Sequence, residues 1–163
     1  MKKAKSQFLI LMVTIACVLY ICKLNNRTPF ETMQYYSNDV AELLFEEPTD
    51  GNLEVVFYLD DNGNIWCSIL RKQLLGYHIL RISGAISPKS TSTTGITSSF
   101  QSHQKILWVN WRIVTDSTVQ AVAFGESKMN MTEITPYGYR ICWLIGEGPI
   151  ETCLLYTSPS PRD

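Results

Sequence analysis

The sequence predicts a mainly β protein: an N-terminal transmembrane helix, a short amphipathic helix, then an antiparallel sandwich or barrel of about seven strands. Three observations predict it. An uncharged apolar run, FLILMVTIACVLYIC, begins at Phe8 and ends at Cys22, with lysines on both sides. From Asn52 onward, apolar and polar residues alternate with the period of two that strands require. Between the alternating stretches, short clusters of Asp, Asn, Gly, Pro and Ser read as tight turns.

The apolar run holds fifteen residues. In a helix these rise about 22 Å, against a hydrocarbon core of about 30 Å. The run is short for a span, so Lys23 has to snorkel outward while Leu24 stays in the apolar layer. Lys23, Leu24, Asn25, Asn26 and Arg27 follow it and contain no small-residue cleavage pattern, which favours an uncleaved signal-anchor over a secretory signal. A lipoprotein signal at Ala16-Cys17 fits less well, because the apolar residues continue to Ile21. A buried helix of a soluble domain conflicts with lysines at both ends. Lys2, Lys3 and Lys5 precede the run and no acid does, so the positive-inside rule puts Met1 in the cytoplasm. The expected location is the cell membrane, single-pass, with an extracytoplasmic domain.

The chain then divides into residues 1–24 (cytoplasmic tip and anchor), 25–51 (polar joint and amphipathic helix), 52–152 (β domain) and 153–163. With 163 residues, 45% of them apolar, one small domain with a real core follows the anchor. The net charge of −1 hides a split: residues 1–24 carry four lysines and no acid, and residues 31–61 carry nine acids and no Lys or Arg. An anionic lipid surface repels that acidic stretch, which otherwise reads as a solvated helix face. Residues 153–163, CLLYTSPSPRD, resemble the one-frame translation of a transposase adapter used in sequencing libraries. They are read as a non-native tail, with native sequence continuing past Thr152.

Thr28-Pro29-Phe30-Glu31 reads as a helix start, with Thr28 as cap and Glu31 closing a capping box. Phe30, Met33, Val40 and Leu44 give a helical face running to about Phe45, unless Ser37-Asn38-Asp39 breaks it. Leu53, Val55, Phe57 and Leu59 share one face of the first strand, and Asp61-Asn62-Gly63 turns it into a second that starts at Asn64. Strands follow over residues 77–86, 105–114, 119–124, 129–135 and 139–145, with residues 87–99 read as a Ser/Thr-rich loop. Leu107, Val109, Trp111 and Ile113 share a face, as do Ile141, Trp143 and Ile145.

No catalytic, cofactor-binding or metal-ligating residue is singled out. His78 reads as a structural strand histidine and His103 as solvated. Asp60-Asp61-Asn62-Gly63-Asn64 mimics a calcium loop, but its glycine is at the fourth position and Arg71 stands where the twelfth-position glutamate belongs, so a hairpin turn is the better reading. Cys67 and Cys142 fall on separate strands. They are a candidate disulfide in an oxidising compartment, with two buried thiols as the competing reading. Arg71, Lys72, Arg81, Arg112 and Arg140, interleaved with Trp66, Trp108 and Tyr77, form a candidate basic face for an anionic wall polymer such as teichoic acid. Solubilising charge on an exposed sheet is the plainer reading, and export disfavours nucleic acid.

GNLEVVFYLDDNGNIWCSILRKQLLGYHILRISG, then SSF, then WVNWRIVTDSTVQ, together resemble a group of small single-span proteins of spore-forming Gram-positive bacteria. The resemblance covers residues 51–146 and implies an extracytoplasmic accessory domain without catalytic residues. The expected function is therefore a membrane-anchored, extracytoplasmic interaction or sensing module. It touches the lipid bilayer through Phe8 to Cys22 and an envelope protein or wall polymer through its β domain. The alternatives are an envelope hydrolase with its catalytic part beyond the C-terminal truncation, and a secreted factor.

Overall fold

Thr28 caps the second helix as the sequence requires: its Oγ accepts from the Glu31 amide at 3.1 Å, and the Glu31 carboxylate accepts from the Thr28 amide at 2.9 Å. The computed structural model describes residues 2–37, 39–89, 95–102, 104–149 and 155–159. Among these it has two helices, α1 (Lys2–Asn25) and α2 (Pro29–Tyr36), and eleven strands. The strands are β1 (Val40–Thr49), β2 (Leu53–Asp60), β3 (Ile65–Gln73), β4 (Gly76–Ile86), β5 (Ile96–Ser102), β6 (Lys105–Val114), β7 (Val119–Phe124), β8 (Ser127–Lys128), β9 (Asn130–Ile134), β10 (Tyr139–Glu147) and β11 (Leu155–Pro159). They form three open antiparallel sheets, ordered β1-β2-β3-β4, β5-β6-β10-β9 and β11-β7-β8, not a closed barrel.

Period-two alternation assigns the layers. Leu53, Val55, Phe57 and Leu59 of β2 meet Val109 and Trp111 of β6 and Ile141 and Trp143 of β10 in one core between the first and second sheets. Trp111 is fully buried, edge-on to Phe57 at 5.4 Å, and its indole N–H donates to Ser83 Oγ at 2.9 Å. Ser83 in turn lies 3.1 Å from Ser98 Oγ, tying β4 to β5 where the two sheets meet. Val56, Tyr58 and Leu70 point the other way, and Met33 of α2 packs on them. The far face of the second sheet is covered by β7 and its neighbours, with Val122, Met129 and Cys142 buried there. In that layer the Trp108 ring lies over Gly146, where an added Cβ would run into the ring, and Phe124 packs on the ring at 5.3 Å.

Several expectations are corrected. The amphipathic helix ends at Tyr36, and Val40, Leu43, Leu44 and Phe45 belong to β1, paired with β2. The polar stretch after Tyr36 stops the helix, and the apolar residues beyond it bury more surface on the two faces of a sheet edge. The seven expected strands are joined by β1, β5, β8 and β11. β5 begins inside the Ser/Thr-rich stretch 87–99 read as a loop and runs beyond it to Ser102, with Ser98, Phe100 and Ser102 alternating inward. β11 falls in the suspected tail and pairs with β7; an exposed edge accepts an extended backbone with little regard to side chains. His78 is exposed, and His103 lies outside the described residues. Among the described residues no helix is long and apolar enough to cross a membrane. The expected transmembrane helix is thus not found: the uncharged apolar part of α1 is fifteen residues, rising about 22 Å against a hydrocarbon core of about 30 Å.

Ser83→Ala would leave the Trp111 N–H unpaired in the core and lower stability by about 1–3 kcal/mol. In a Trp111→Phe background, which has no N–H to orphan, the same change should cost much less. Urea unfolding of the four proteins in detergent solution measures the difference; equal costs in both backgrounds would contradict the pairing.

Candidate functional site

The region best shaped to bind lies where, among the described residues, two strand edges end without partners. β1 is the outermost strand of its sheet, and Pro48, which has no N–H to give a ladder, sits on it as edge strands allow. In the second sheet, β6 pairs with β10 as far as Glu47's opposite wall, Glu147, whereas β9 pairs only with residues 139–143. The Gly148 amide donates to the Ile106 carbonyl at 3.0 Å. Antiparallel pairing alternates, so the main-chain groups of Ile145 and Glu147 point away from β6, to the side where β9 has ended.

A cavity of about 1420 Å³ opens between these edges, walled by residues 47–53 and 143–147, with Ser102, Lys105, Leu107 and Asn130 completing it. Residues 50–52 can reverse the chain this tightly because Gly51 (φ 74°) and Asn52 (φ 60°) accept left-handed backbone. Three carboxylates, Glu47, Asp50 and Glu147, face one ammonium, Lys105. Lys105 pairs with Glu147 at 2.8 Å, an exposed bridge that contributes little to stability. Trp143 lines the cavity but is only 3% exposed, and its indole N–H is buried without a partner in the core behind the wall.

At the opposite end, a cavity of about 510 Å³ is lined by Leu59, Gly63, Lys89 and Tyr139 among others. Burial, helped by the Tyr137 phenol and the Glu42 carboxylate nearby, pushes the Tyr139 phenol up to about 12. Tyr137 stacks on Tyr139 at 5.7 Å and donates to Glu42 Oε2 at 2.7 Å, which clasps β1 to the turn before β10.

The five basic candidates are not brought together. Arg71 shares the inward face of β3 with Ile69 and bonds Ser102, whereas Lys72 is on the opposite face, 6.0 Å from the Tyr77 ring. Arg81 is exposed on β4. Arg112 and Arg140 belong to the second sheet; Arg112 is 5% exposed with Nε and Nη2 unpartnered, and Arg140 donates to the carbonyls of Val119 and Asp116. The pleat and the division into sheets scatter residues that proximity in sequence grouped. Cys67 and Cys142 are free thiols, one in the core between the first two sheets and the other on the far face of the second. Burial raises the Cys67 thiol well above its usual range, and burial lifts Cys142 to about 11 against the pull of Arg140 and Arg112.

Asp60 is a turn organiser. Its carboxylate accepts from the amides of Asn62 and Asn64 at 2.9 and 2.8 Å, from Asn64 Nδ2 at 3.0 Å and from Trp66 Nε1 at 2.9 Å. Burial opposes its charge, but these donors outweigh it and bring the pKa down to about 2. Among the described residues no cluster of three or more metal-ligating side chains is present. Sequence reasoning missed the cleft. The polar run Glu46-Glu47-Pro48-Thr49-Asp50-Gly51 around it reads as a loop, and only Pro48, tolerated on an edge strand, is compatible with the strand that forms there.

No family model matches the chain, no curated protein matches it, and no solved structure matches it.

Two outcomes follow from these protonation states. Asp60 is held ionised in the folded state, so its stabilisation is present above about pH 4 and drains away as the pH falls toward 2. Asp60→Asn should lower stability at neutral pH by about 1.5–3 kcal/mol and flatten that acid limb, as read by urea midpoints across pH. Separately, a thiol reagent applied to the folded protein at pH 8 should leave Cys67 and Cys142 unlabelled until denaturant is added. Peptide mapping of the label checks this.

Proposed function

We propose that this chain is a single-pass, membrane-attached interaction module, with α1 in the bilayer and the β domain presented on the extracytoplasmic side. One observation carries the proposal. Six consecutive residues of α1, Phe8, Leu9, Ile10, Leu11, Met12 and Val13, are each at least 50% exposed, and Val18, Leu19 and Tyr20 repeat the pattern. Successive helical residues point 100° apart, and every residue over 7–23 is exposed, so the apolar surface surrounds the helix. Each large apolar side chain left in water forgoes about 1.5–3 kcal/mol, and lipid is the medium that recovers it on every face at once.

The shortness of the apolar run within α1 is compatible with attachment if the bilayer thins locally and Lys23 snorkels to the headgroups. Lys2, Lys3 and Lys5 support an inside N-terminus by the positive-inside rule. The β domain then contributes binding surface: a large cleft with strand edges that no strand of the described residues pairs.

In membrane fractionation the full chain should stay in the pellet at alkaline pH and leave it only with detergent. Leu11→Lys combined with Val18→Lys should move it to the supernatant. A periplasmic-type reporter enzyme fused after Asp163 should be active only if the C-terminal side is outside. Recovery of the unaltered chain in the soluble fraction would overturn the proposal.

A further inference from the structure

We infer that the cleft between β1 and β10 takes up an extended peptide strand of a partner protein, added to the edge of β10 that no strand of the described residues pairs, and carrying Lys or Arg. The inference rests on the β domain being the binding part of the module, but not on its attachment to a membrane.

The edge comes first. Ile145 and Glu147 direct their amides and carbonyls to the side where β9 has stopped, and Asn130 marks where it stopped. A strand lying there would continue the line of β9 and complete the hydrogen bonding of β10 over residues 144–147. Main-chain groups beside apolar walls such as Leu53 and Leu107 gain from a partner that water supplies poorly in a recess. Trp143 lines the same cavity, next to the free stretch of β10, and its indole reports on anything that settles there.

Charge selects the peptide. Glu47 and Asp50 on one wall and Glu147 on the other leave the single ammonium of Lys105 outnumbered. Lys105 is itself held in an exposed pair that exchanges at little cost. A strand alternates its side chains between faces, so apolar residues can turn toward Leu53 and Leu107 while basic ones turn to the carboxylates. An acidic strand of the same shape would meet like charge.

The test uses the full chain in nonionic detergent micelles and three blocked heptapeptides: alternating Val and Lys, alternating Val and Glu, and the Val–Lys peptide with alternate amides N-methylated. Nuclear magnetic resonance follows the Trp143 indole and the Ile145 and Glu147 amides during titration. The Val–Lys peptide should shift all three signals and saturate. The N-methylated and Val–Glu peptides should bind at least about tenfold more weakly, since each loses on the order of 1.4 kcal/mol or more. In Glu47→Gln/Asp50→Asn, whose folding is checked by urea unfolding, the preference for Lys over Glu should shrink while N-methylation still weakens binding. Unmoved Trp143, Ile145 and Glu147 signals would overturn the inference, as would equal affinity for all three peptides or a preference for the acidic one. Those failures would leave the fractionation result for α1 standing, so the two readings are separable.

Discussion

The pairing of β6 with β10 is the constraint on which the rest depends, because these two strands are buried on both faces. Their register sets Trp111 opposite Trp143 toward the first sheet and Arg112 opposite Cys142 toward the third. A slip by one residue would exchange these faces, driving Arg112 into the apolar core and the indoles under β7. The exchange is prevented by the shape of both faces. Trp111 needs Ser83 and Phe57 beside it, and Trp108 needs the bare backbone of Gly146 beneath its ring.

Covering the second sheet on its far side has a cost. Asn110 is 2% exposed; its amide donates to Thr97 Oγ at 2.6 Å, but its oxygen has no partner, and Arg112 keeps two unpartnered nitrogens. Unpaired polar groups in such a layer cost roughly 1–3 kcal/mol each. The central core carries the same kind of cost: Trp111 is satisfied by Ser83, but the Trp143 indole N–H and the Tyr139 hydroxyl are buried there without partners.

Most of the central sandwich was legible because its strands state their period. Leu53, Val55, Phe57 and Leu59, and Leu107, Val109, Trp111 and Ile113, face inward as their alternation predicts. β1 was misread because Phe30, Met33, Val40 and Leu44 happen to fall at helical spacing as well; only pairing with β2 decides between the two, and that is a tertiary fact. β5 was missed for a different reason. Serine and threonine signal loops when their hydroxyls face water, yet here Ser83, Ser98 and Ser102 satisfy each other or Arg71 inside the fold. The cleft was invisible because a free edge is defined by where a neighbouring strand stops. The end of β9 at Asn130 is set by the turn into β8, and no residue of β10 announces it.

The acidic residues between Glu31 and Asp61 acquire a second meaning once the cleft is placed. In the sequence they read as a stretch that anionic lipid would repel. In the fold, Glu47 and Asp50 of that stretch stand on the cleft wall, and Glu42 clasps its far seam through Tyr137. One charge pattern thus serves both proposals. With α1 in a bilayer, like-charge repulsion turns this edge of the sandwich away from the headgroups, within a Debye length of about 8 Å at physiological salt. The edge that a basic strand would join is then the edge held open to it. The same repulsion argues against lipid itself as the occupant of the cleft, since an anionic headgroup would face three carboxylates and meet a single lysine already engaged by one of them.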